Sequence, residues 1–174
     1  MPETFAFKVS DVEAKEMAPI VEEHSQDAIE TYELLERLDE LYSSLEELKE
    51  IQKECSQENW DGMNELPITE DTVARARDLL FKAARLPNYI QLPSLTPTSS
   101  GWIELEWYKE KGHRFAIRLN GQGVFIYSGL LGVGKDSSGN DVEKDTRGRS
   151  LLTNEDLPHE IKDNLSRLFK VHIS

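Results

Sequence analysis

The residues that bear most directly on chemistry are two closely spaced glutamates, a glycine-rich stretch, one cysteine and four histidines. Glu104 and Glu106 lie two apart in Gly101-Trp102-Ile103-Glu104-Leu105-Glu106-Trp107, a spacing that puts both carboxylates on one face of a strand. An acid–base pair needs one raised pKa, and the arginine and alanine expected opposite them supply no reason for one. Gly129 and Gly134-Lys135 have the spacing of a phosphate-binding loop, but Asp136 stands where magnesium binding needs Ser or Thr. No helical pattern follows to present its N-terminus to a phosphate. Asp136, Ser138, Asn140 and Asp141 suggest a calcium loop, but the turn glycine is displaced and the closing glutamate is absent. His24, His113, His159 and His172 are scattered, with no pair at metal-ligand spacing. The single cysteine, Cys55, excludes a disulfide framework and a cysteine-rich zinc site. No catalytic residue, cofactor or metal is therefore expected.

These groups sit in a chain of 174 residues with a net charge of -13. The length suits one domain, or one domain with a helical arm. No apolar run approaches the ~18 residues of a membrane span. The opening MPETFAFKVSDVEAKE has neither a basic start nor an apolar block, so no signal peptide is expected. With one cysteine, a reducing cytoplasm is the expected compartment. The acid is uneven: residues 1–66 carry 19 Asp or Glu against 5 Lys or Arg, a net of -14, and residues 67–174 carry +1. Such a layout opposes direct binding to nucleic acid or anionic lipid, and it fits either a long solvated helix rich in glutamate or a segment with its own partner.

Three divisions are expected. Residues 1–18 read as a poorly ordered start, with Phe5, Phe7 and Val9 alternating weakly. Residues 19–58 read as a long acidic helix, roughly 50 Å long and longer than the remainder is wide, so that part of it projects. Leu34, Leu38, Leu41, Leu45 and Leu48 step by four, three, four and three, a heptad seam that Leu35, Tyr42 and Ile51 widen. Glu36, Arg37, Asp39, Glu40, Glu46, Glu47, Lys49 and Glu50 form the solvated side. Most of those charges repel, so packing must hold the helix, against its own domain, a second copy or another protein. Leu34, Leu38, Leu41, Tyr42, Leu45 and Leu48 are the candidate partner-binding residues.

Residues 59–174 read as a compact α+β domain. Ser56 to Gly62 break the helix, with Trp60 as a packing anchor and Asp61 capping a turn through its side chain. Thr69 is a good N-cap for a second helix that ends at Leu86-Pro87, with Glu70 and Asp71 in its first turn. Asn59-Trp60-Asp61-Gly62, a proline five residues on, a short helix, the proline-rich Pro93-Ser94-Leu95-Thr96-Pro97 and the Glu106-Trp107 pair resemble a family of small bacterial proteins. The resemblance covers about residues 56–130. It implies bacterial origin and mobile or defence-type neighbourhoods. That family has no agreed activity, so no functional residue carries over.

Residues 102–131 read as an antiparallel meander of three or more strands covered by two shorter helices. Apolar alternation sets Trp107 opposite Phe115, Leu105 opposite Ile117 and Glu104 opposite Arg118. Trp107 is thus a second structural anchor. Asn120 to Gly123 supply the second turn. Residues 132–149 read as a mobile loop carrying a small basic cluster, Lys144, Arg147 and Arg149. Asn154 or Asp156 starts a last helix, with Ile161, Leu165 and Leu168 inward, and Val171 to Ile173 close the chain as a strand or a fray. The function expected is a non-enzymatic interaction protein of accessory, antitoxin or immunity type. Its acidic helix would hold another protein or a second copy, with no membrane and no direct nucleic acid contact. Two other readings stand beside it: an acidic mimic of nucleic acid, and a small hydrolase with a site near Trp60, Asp61 and the sheet.

Overall fold

A computed structural model describes residues 11–135, 137–153 and 155–169. Three helices and five strands follow in the order α1 (Asp11–Glu54), α2 (Glu70–Ala84), β1 (Ser94–Pro97), β2 (Ile103–Glu110), β3 (His113–Leu119), β4 (Val124–Lys135), β5 (Asp141–Leu151) and α3 (His159–Phe169). The chain divides into two compact units, residues 1–38 and 39–174. The described part of the first is the α1 helix up to Leu38. The second holds the rest of α1 and every other element.

The strands form one antiparallel sheet in chain order, β1-β2-β3-β4-β5. The α+β class and the register expected from alternation hold: Trp107 faces Phe115, Leu105 faces Ile117, and Glu104 faces Arg118. Ile103, Leu105, Trp107, Phe115, Ile117, Leu119, Phe125 and Tyr127 are buried on one face. Against it pack α2, on β2 and β3, and α3, on β2, β3 and β4. A small meander needs such cover to be stable. Val73, Ala76, Leu80, Ile161, Leu165 and Leu168 supply the helical side of that core. The other face of the sheet is polar, with Glu104 paired to the Arg118 guanidinium.

Local chemistry explains the joints. The Thr69 Oγ1 accepts the Thr72 N–H at 3.2 Å, as an N-cap should. Asn120 Oδ1 accepts the Gln122 and Val124 N–H groups at 3.1 Å each, and Gly123 completes that turn at φ +76°. The buried Lys82 ammonium donates to Asp78 at 2.6 Å and to the Thr153 carbonyl at 2.5 Å, tying α2 to the segment after β5. Tyr127 donates its hydroxyl to Glu160 on α3. Burial first, and then that carboxylate, push the phenol up to about 12. The ring has room because Gly148 stands opposite on β5, where a Cβ would meet the Tyr127 hydroxyl oxygen at 2.3 Å.

Three expectations are corrected. The stretch 132–149 is not a mobile loop but the far half of β4 and most of β5, joined by a short turn. Edge strand β5 is polar on both sides, so its pairing rests on backbone hydrogen bonds that leave no apolar alternation to read. The long helix begins at Asp11 rather than near residue 19, and residues 11–18 are helical. Arg37, assigned to the solvated side, is buried. Phe5, Phe7, Val9, Asp136, Asn154 and the closing residues from Val171 lie outside the described residues. No helix among the described residues is long and apolar enough to cross a membrane.

Candidate partner-binding surface

The structure divides the candidate seam of α1. Leu48 is 1% exposed and belongs to the core, with Ile51 and Cys55 following it. Leu41 and Leu45 are half-buried and pack against that core. These residues, with the buried Ser44, step by three and four along one face of the helix in the second unit. In the first unit the pattern continues but the cover does not. Leu34, Leu35 and Leu38 are 58%, 52% and 51% exposed, and Ile29 and Tyr32 are exposed beside them. Tyr42, in the second unit, is also exposed. Helical spacing therefore found the apolar positions but could not separate those that meet a core from those that do not. Ile29 and Tyr32 were missed because they fall off the heptad.

The charge around this stripe has one sign. Between Gln26 and Leu38 stand Asp27, Glu30, Glu33 and Glu36, against Arg37 alone. Further along α1, Lys49 pairs with Glu46 at 2.5 Å and Lys53 with Glu50 at 3.5 Å. Exposed pairs of this kind add little to stability, because water and salt screen them. The stripe is thus a run of large apolar side chains in a negative field.

The Asn59–Gly62 motif forms a closed loop between α1 and α2. Asn59 N–H donates to the Glu65 carbonyl at 2.9 Å, and Ile68 N–H to the Cys55 carbonyl at 2.8 Å. Trp60 is partly buried against the core and donates its indole N–H to the Leu66 carbonyl at 3.2 Å. Asp61 does not cap the turn through its side chain. The side-chain acceptors are Asn59 Oδ1, for the Asn64 N–H at 2.8 Å, and Glu65 Oε2, for the Asp61 and Met63 N–H groups at 3.3 and 3.1 Å. Glu65 was not singled out in the sequence, because a glutamate in a turn looks solvated until the chain closes over it. Trp107 is fully buried, with its indole N–H on the Gln91 carbonyl at 2.9 Å and its ring 6.2 Å from that of Phe115.

The other candidates stay apart. Glu104 is paired with Arg118, and Glu106 faces Ala116 across the strands. Gly129, Gly134 and Lys135 are all strand residues of β4. His113 packs against Gly132, and His159 is exposed at the start of α3. Among the described residues no three His, Cys, Asp or Glu side chains are placed to hold a metal. No family model, curated protein or solved structure matches the chain, so nothing in these comparisons bears on the resemblance carried by Asn59 to Gly62.

Proposed function

We propose that the protein binds a basic partner protein through the exposed stripe of α1, occluding or scaffolding it as an accessory, antitoxin or immunity protein does. One observation carries this reading: Leu34, Leu35 and Leu38, with Ile29 and Tyr32, lie at least half exposed on one helix. Removing apolar surface from water gains ~25 cal/mol per Å² before the costs of association, so such a stripe favours a lid. The surrounding carboxylates select the lid. A second copy would bring like charge against like charge, whereas an apolar strip flanked by Lys or Arg meets complementary charge.

The test is affinity purification of the tagged chain at low and at high salt, beside a Leu34→Lys/Leu38→Lys variant, with mass spectrometry and sedimentation of the purified chain. A stoichiometric basic protein that survives high salt and is lost from the variant is the expected result. A partner held only at low salt would replace this reading with charge mimicry of nucleic acid, since screening removes charge-driven association far more than apolar association. A stable homodimer broken by the same substitutions would assign the stripe to a second copy.

A further inference from the structure

The second unit holds a groove that neither the stripe nor the core explains. It encloses about 570 Å³ between the end of α1, the Asn59–Gly62 loop and β1. This is within the usual range of ligand sites, roughly 300–1,000 Å³. Its apolar surface comes from Ile51, Leu95, Pro97 and Trp60, and its rim carries Glu47, Glu54 and Asp61. No Lys, Arg or His lines it. No ion pair or side-chain hydrogen bond is made by these three carboxylates to any described residue, unlike Glu46 and Glu50 on the same helix. The Cys55 thiol also lines the groove, 97% buried and without a hydrogen-bond partner among the described residues. The Trp60 ring is held in place by its bond to Leu66.

We infer that this groove receives an arginine or lysine side chain of the partner, with its aliphatic stem on Ile51, Leu95 and Pro97 and its charged head among Glu47, Glu54 and Asp61. The inference rests on the reading of the protein as a binder of a basic partner. Three unbalanced carboxylates call for a cation, and their arrangement is not one that could hold a metal ion. An apolar floor beside an aromatic wall calls for a cation with a stem. The indole face attracts such a head, and carboxylates give it charge-assisted hydrogen bonds. A neutral, buried thiol tolerates the stem and adds no competing charge.

The test titrates the full-length, isotope-labelled chain with acetyl-Gly-Arg-Gly-amide and with the matching citrulline peptide, read by nuclear magnetic resonance. Citrulline keeps the shape and removes the charge. The arginine peptide should shift the Trp60 indole N–H and the Glu54 and Asp61 amides saturably, and the citrulline peptide should bind at least about tenfold more weakly. Asp61→Asn and, on the other wall, Glu47→Gln should each weaken the arginine peptide, so the result does not depend on one loop variant staying folded. Equal shifts from both peptides, absent shifts, or shifts spread unsaturably along the acids of α1 would overturn the inference. The Leu34→Lys/Leu38→Lys variant should bind the peptide like the parent chain. A stripe-dependent partner with a silent groove would sink the groove alone. A peptide-binding groove with no stripe-dependent partner would sink the stripe alone.

Discussion

Glu65 shows how much one side chain can organise. Asn59, Gly62 and Asn64 all have left-handed backbone, at φ 59°, 82° and 64°. Asn and Gly tolerate this region, but something must hold all three there. The buried Glu65 carboxylate does so by accepting the Asp61 and Met63 N–H groups. Burial alone would raise its pKa. The N–H donors of Glu65 itself, Met63 and Asp61 outweigh burial and hold the carboxyl below its ordinary 4.5. A folded value below the unfolded one stabilises the protein above the unfolded value, and that contribution is lost as pH falls through the folded one. Glu65→Gln should therefore unfold at a lower temperature than the parent at neutral pH, with the gap closing as pH drops below 4.5. Thermal unfolding across that range checks it. A gap that stays constant into acid would show that the charge is not what closes the loop.

On the scale of elements, α1 is one helix with two environments. Leu48 is buried in the core and Leu38 is half exposed, although both fall on the heptad seam. Leu48→Ala should cost ~2–5 kcal/mol, as deletion of a fully buried leucine does. Leu38→Ala should change stability by less than ~0.5 kcal/mol while weakening partner binding. Chemical denaturation and a binding titration on the same two variants separate the roles, and equal stability losses would mean that Leu38 is covered in solution. The same contrast explains what was legible in the sequence. The register of β2 on β3 could be read because Trp107, Leu105, Phe115 and Ile117 alternate, and alternation is a local property. Strand β5 could not, because Asp141 to Leu151 has one neighbouring strand and few apolar residues, and its pairing lies in the backbone. Strand β1 is four residues long and ends in a proline, which suits an edge and reads as a loop. The heptad gave the apolar positions of α1 but carried no information on where the core stops. The groove was illegible for a related reason: Glu47, Asp61 and Leu95 meet only through the fold.

At the scale of the whole molecule, charge and core are separated along the chain. Every fully buried apolar side chain among the described residues lies between Leu48 and Phe169. The first 38 residues carry ten carboxylates against three basic side chains and contribute the exposed leucines. A chain starting at Asp39 therefore keeps the sheet, α2, α3 and the inward turns of α1, while losing much of the negative field and the stripe. It should fold cooperatively with a midpoint within ~5 °C of the parent, since fraying one cut helix end costs on the order of 1 kcal/mol. It should no longer hold the partner of the full-length chain. It should still take the arginine peptide, because every residue lining the groove lies at or after Glu47. Calorimetry of the shortened chain and the two binding assays decide the matter together. Loss of cooperative unfolding would mean that residues 1–38 complete the core rather than serve a partner, and the exposed leucines would then need a folding explanation instead of a binding one.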